Sequence, residues 1–120
     1  MTDDYMYISV IDANDQLSEA LLDEDLFYLG LSWNETGRYW TMSLRSSGDD
    51  VICSGLKLLP LKATLLARRK SGMPKGEFLI YAPTIIVLER DSFAKGLAAL
   101  FYVPQDLLIS SGLIQYEIVV

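Results

Sequence analysis

The stretch LFYLGLSWNETGRYWTMSLR, residues 26–45, decides the fold. Phe27, Leu29, Leu31 and Trp33 recur at every second position, which is the period of a strand with one face buried. Trp40, Met42 and Leu44 repeat the pattern further on, while Tyr39, Thr41, Ser43 and Arg45 occupy the opposite face. Between the two runs lies Asn34-Glu35-Thr36-Gly37, a short polar loop with a glycine free to take positive φ. The spacing predicts a β-hairpin whose two buried faces carry Trp33 and Trp40.

Strand signals continue on both sides. The polar loop 46–50 leads into residues 51–58, where Ile52, Leu56 and Leu58 are expected to alternate with Val51, Cys53 and Lys57, making a three-strand meander. Upstream, Leu17, Leu21 and Leu22 have helical spacing, but the acidic triplet Asp23-Glu24-Asp25 would oppose a helix dipole at that end. Residues 16–25 therefore read as a strand or an irregular segment. Residues 5–11 read as a first strand, stopped by the turn formers Asp12-Ala13-Asn14-Asp15.

Residues 60–75 break the alternation and read as a long connection with a basic tip, Arg68-Arg69-Lys70. Residues 77–82 form a further strand stopped by Pro83, and 84–88 are another β-branched run. Residues 92–99 suit one helical turn or a wide loop, 100–103 a strand closed by Pro104, and 116–120 a last strand. The expected architecture, over residues 1–120 as one domain, is mostly β. It is a small antiparallel β-barrel or sandwich with a long basic loop and at most one short helix.

Composition narrows the function classes. At 120 residues, 51% of them apolar, the chain has length and apolar surface enough for one core. No apolar run approaches the ~18 residues that span a bilayer, so no membrane is expected. The start Met1-Thr2-Asp3-Asp4 is acidic where an export signal is basic and then apolar, and the expectation is a product that stays inside the cell. Cys53 has no second cysteine to pair with and reads as a small buried hydrophobe. The sequon Asn34-Glu35-Thr36 reads as a turn.

Residues 1–60 hold eleven acidic and three basic side chains, whereas 61–120 hold five acidic and seven basic ones, giving −8 and +2. Affinity for nucleic acid comes mainly from neutralising phosphates, so specific nucleic-acid binding is disfavoured.

Catalytic chemistry finds little support. The chain has no histidine, which removes the commonest general base and a common metal ligand together. Its glycines match no phosphate-binding fingerprint, and Asp3-Asp4, Asp23-Glu24-Asp25 and Asp49-Asp50 lack calcium-loop spacing. These acidic groups read as solvated turns. No catalytic residue, cofactor site or metal site is expected. Trp33, Tyr39, Trp40, Tyr81, Phe101 and Tyr102 offer stacking surfaces, which keeps open a second reading: an aromatic-lined β-barrel binding a sugar or single-stranded nucleic acid. Core packing is favoured for both tryptophans. Tyr39 shares its face with Thr41 and Ser43 and is a candidate partner contact, as are Arg68, Arg69 and Lys70.

One resemblance goes beyond composition. Phe27-x-Leu29-x-Leu31-x-Trp33-Asn34, Gly37-x-Tyr39-Trp40-x-Met42-x-Leu44, Gly55-Leu56-Lys57-Leu58, Gly76-x-Phe78-x-Ile80 and Leu100-Phe101-Tyr102 together resemble the small baseplate plug proteins of contractile-tailed phages. The likeness covers about residues 26–103, and Asp91-Ser92-Phe93-Ala94-Lys95-Gly96 departs from the short turn of that family. It implies a non-enzymatic virion subunit, assembled in the host cytoplasm, that plugs or connects the axial channel at the junction of tail tube and hub. Its implied partners are other tail and baseplate proteins, hub and tail tube among them; a homo-oligomer is expected separately, from the long apolar C-terminal stretch Leu107 to Val120.

Overall fold

The alternating segment 26–45 forms the centre of a four-stranded antiparallel sheet. The computed structural model describes residues 5–60, 64–65 and 72–110, with side chains through Leu107. Among these are seven strands and one short helix. They are β1 (Met6–Ile8), β2 (Asp15–Leu22), β3 (Asp25–Asn34), β4 (Tyr39–Ser46), β5 (Val51–Lys57), β6 (Glu77–Tyr81), β7 (Ala99–Val103) and α1 (Gln105–Ser110). One sheet runs in the order β2-β3-β4-β5 and the other β1-β7-β6, all neighbours being antiparallel. The sheets do not close into a barrel; the arrangement is sandwich-like.

Inward-facing residues of both sheets join one buried cluster. Phe27, Leu29, Leu31, Trp33, Trp40, Met42 and Leu44 come from the central hairpin, with Ala20 and Leu22 from β2. Ile8, Phe78, Ile80, Leu100 and Tyr102 come from the other sheet. Trp40 is central, its ring 5.7 Å from Trp33 and 5.9 Å from Phe93. Its indole Nε1 donates to the Glu89 carbonyl at 3.2 Å, which satisfies its polar edge. Both tryptophans thus occupy the expected core.

Several expectations are corrected. Residues 51–58 do not alternate simply: Met42 and Leu44 pair with Leu56 and Cys53, so three residues of β4 face four of β5. Gly55, at φ +70°, absorbs the extra residue as a bulge, and Cys53 and Leu56 both turn inward. In the 34–38 turn the positive φ belongs to Arg38, at 59°, and not to Gly37. Position 37 excludes a side chain for another reason: a Cβ there would lie 2.2 Å from the Tyr39 ring. Residues 84–88 form no strand. Pro83 ends the ladder, Leu88 turns into the core, and Ile86 and Val87 project outward.

Residues 16–25 resolve into β2 and a two-residue turn, with Asp23 and Glu24 at φ 49° and 74°. Positive φ at both central positions matches the right-handed twist of a tight hairpin. Asp23 is more than a solvated turn residue, because the Tyr102 hydroxyl donates to its carboxylate. The same hydroxyl accepts from the Gly76 amide at 2.7 Å, tying the hairpin tip of one sheet to the other sheet. The first strand is shorter than the expected residues 5–11; of the expected helical turn or wide loop at 92–99, residues 92–96 form turns and Ala99 already belongs to β7. Leu107 falls in α1, while the expected last strand at 116–120 lies outside the described residues.

Candidate docking surface on the three-stranded sheet

In β1, β6 and β7 apolar residues occupy both alternating sets of positions. One set, Met6, Ile8, Phe78, Ile80, Leu100 and Tyr102, faces the core or packs against it. The other contains Tyr7, Leu79, Tyr81, Ala99 and Phe101, with Tyr5 just before β1. A strand with two apolar faces needs two covers. At the sheet's Glu77–Val103 end the outer set is buried, whereas Tyr5, Tyr7 and Tyr81 are 58%, 61% and 58% exposed.

Register makes these side chains neighbours. Tyr7 lies opposite Phe101 and Phe101 opposite Leu79, while Tyr81 lies opposite Ala99. The Phe101 ring sits edge-on to both tyrosines, 6.2 Å from Tyr5 and 5.7 Å from Tyr7. Tyr5, Leu79, Ile80, Tyr81, Phe101 and Val103 line a groove of about 380 Å³. Among the described residues, no charged side chain lines it. Glu77 would share this face by alternation, but its carboxylate is buried and accepts from the backbone amides of Leu65, at 2.6 Å, and Phe78, at 3.0 Å. The face is therefore uncharged, aromatic and slightly concave, the chemistry of the buried centre of a protein interface.

The residues singled out from sequence lie elsewhere. Tyr39 is on the outer face of the four-stranded sheet, as its alternation with Trp40 requires, and is half-buried. Its hydroxyl accepts from Asn34 Nδ2 at 3.2 Å, and Lys57 Nζ lies 4.6 Å from its ring centroid. It is pinned to its own hairpin, at the opposite side of the sandwich from the groove. Arg68, Arg69 and Lys70 lie outside the described residues. Among the described residues, no group of three or more histidine, cysteine or acidic side chains is placed to hold a metal ion.

The tyrosine face carried a sequence signal that alternation alone passes over. Met6-Tyr7-Ile8, Phe78-Leu79-Ile80-Tyr81 and Leu100-Phe101-Tyr102-Val103 contain no polar interruption. Unbroken apolar runs of strand length mark strands covered on both sides.

A family model described as "Cyanophage baseplate Pam3 plug gp18" matches residues 5–105. The match takes in all seven strands, and so reaches the N-terminal strand that the residue pattern had left aside. A search of curated proteins found no match. With the family model spanning most of its length, this chain belongs to the phage baseplate plug family and is a structural protein of the tail baseplate.

Proposed function

We propose that the chain acts without catalysis, plugging or connecting the axial channel where tail tube meets hub, by docking neighbouring tail proteins against the Tyr5–Tyr7–Tyr81 face. The observation that carries this reading is the uncovered aromatic face itself. Burying apolar area is worth roughly 25 cal/mol per Å², so an uncharged aromatic surface of this kind favours association with a complementary apolar one. The described residues that line it are apolar or aromatic, which suits an apolar protein surface better than the phosphates of a nucleic-acid strand. Further copies of the chain, and contacts through Tyr39 and through Arg68, Arg69 and Lys70, belong to the same proposal.

The test is complementation of a phage lacking the gene with Tyr7→Asp and Tyr81→Asp variants. Both positions are exposed in the free chain, so melting should stay close to the parent's. Incorporation into tails, read by immunoblot of purified particles, should fall sharply. Parental incorporation of both variants would remove this face from assembly.

A further inference from the structure

The sandwich has a second uncovered apolar patch, on its other side. Leu17 and Leu21 of β2 are 65% and 60% exposed, and Leu26 of β3 is 37% exposed. Leu21 lies opposite Leu26, and the neighbouring row reads Glu19, Tyr28, Arg45, Val51 across all four strands. Directly opposed side chains on one face are ~5 Å apart, so Leu21 and Leu26 touch, with Tyr28 one row on, Leu17 beyond Glu19 on β2, and Arg45 standing between Tyr28 and Val51. A Cβ at position 30 would come within 2.5 Å of Ser43 Oγ, which would have to rotate away.

Unlike the tyrosine face, this patch is bordered by negative charge. Phe27 pairs with Ser46, which places the β2–β3 and β4–β5 turns at the same end of the sheet. Those turns carry Glu24, Asp49 and Asp50, Asp25 begins β3 beside them, and Glu19 stands within the patch. Asp49 is paired with Arg45 at 3.2 Å. Glu19, Glu24, Asp25 and Asp50 have no basic partner among the described residues.

We propose that this leucine patch docks a second, different tail protein, one whose contact surface has an apolar centre ringed by lysine and arginine. The proposal rests on the baseplate reading and extends it: the chain is a connector gripped on both sides. Charge decides against another copy as occupant. Isologous packing would set the acidic border against itself, and the tyrosine face of another copy offers it no cation. The basic cluster of another copy is the rival that the experiment must separate.

The full-length chain is assembled into tails with a photoreactive p-benzoylphenylalanine in place of Leu21 or, separately, of Tyr81, and the cross-linked peptides are sequenced. The Leu21 probe should capture a Lys- or Arg-containing peptide of one tail protein, and the Tyr81 probe a different surface. Glu19→Lys combined with Asp50→Lys should lower the Leu21 yield about tenfold, the effect of some 1.4 kcal/mol, without changing the Tyr81 yield. The proposal is overturned by the absence of a Leu21 adduct in incorporated protein, by an adduct to another copy, its 68–70 cluster included, or by undiminished yield from the reversed variant. Absence of the parent chain from tails would overturn the baseplate reading instead.

Discussion

The two sheets share a core but are built and finished differently. The four-stranded sheet is one continuous run of hairpins from Asp15 to Lys57, each strand pairing with its neighbour in sequence. The three-stranded sheet brings together Met6–Ile8, Glu77–Tyr81 and Ala99–Val103, with β7 between β1 and β6. Outside, the first alternates apolar with polar over most of its breadth, whereas the second is apolar on both faces. A protein that worked alone would gain little from the second arrangement. The difference marks the three-stranded sheet as the part of the fold specified for a neighbour as well as for itself.

The comparison predicts that equal damage to the two regions has unequal consequences. Trp40→Ala should have the largest effect, costing about 3–5 kcal/mol, because it empties a fully buried site and leaves the Glu89 carbonyl without its indole donor. Denaturant unfolding reads this, and a midpoint near the parent's would show that the core is not centred on the hairpin. By contrast Tyr81→Ser, on the outer face of the other sheet, should change stability by less than about 1 kcal/mol while impairing incorporation into tails. A Tyr81→Ser loss as large as that of Trp40→Ala would mean that something within the chain already covers the face.

The join between the sheets should respond at an intermediate level. Tyr102→Phe removes the hydroxyl that donates to Asp23 and accepts from the Gly76 amide, and with it these two hydrogen bonds between the sheets. The expected cost is about 1–3 kcal/mol. Gly76→Ala tests the same join sterically, since a Cβ would lie 2.2 Å from the Val103 carbonyl oxygen and 2.6 Å from the Tyr102 ring. If both substitutions leave thermal unfolding unaltered, the sheets are held together by apolar packing alone.

What could be read from sequence follows the same division. The central hairpin was legible because Phe27 to Trp33 and Trp40 to Leu44 obey a local period and meet across a short turn. The β5 register was not, since Gly55 inserts one residue and a bulge leaves no mark on alternation until the partner strand is known. Residues 84–88 have strand composition, yet with Pro83 before them no ladder continues, so composition without a pairing partner misled. The β1–β7 pairing joins residues some ninety positions apart, and nothing in a local window encodes it. As for the docking faces, Tyr39 was chosen for lying opposite the core, which is correct but common to half of any strand. The tyrosine face required asking which strands are apolar on both sides, and the leucine patch required knowing that β2 is a strand at all.

The smallest predicted effect concerns the loop that both sheets use. Glu89 accepts from Arg38 at 3.1 Å and, through its carbonyl, from Trp40, while Arg90 donates to Asn14 at 2.6 Å and to Asp12, beside β1. Asp91, next in this loop, pairs with Lys95 at 2.9 Å. That hydrogen bond, with the Lys95 charge adding to it, holds the Asp91 carboxyl below its ordinary value of 3.8 against a smaller opposing effect of desolvation. A depressed folded-state value means that the contribution to stability is present above the ordinary carboxylate range and is lost as pH falls through the lowered value. The Asp91–Lys95 pair lies at the surface and is screened by solvent, so the change in overall melting should be too small to read. Carboxyl-detected NMR should nevertheless show Asp91 titrating below 3.8 in the parent and returning towards it in Lys95→Ala, with the Trp40 indole N–H shift unchanged. An Asp91 that titrates at the ordinary value in the parent would show that the pair does not persist in solution. A Trp40 shift that moved with it would show that the loop and the core respond together, and that the two sheets are less independent than their outer faces suggest.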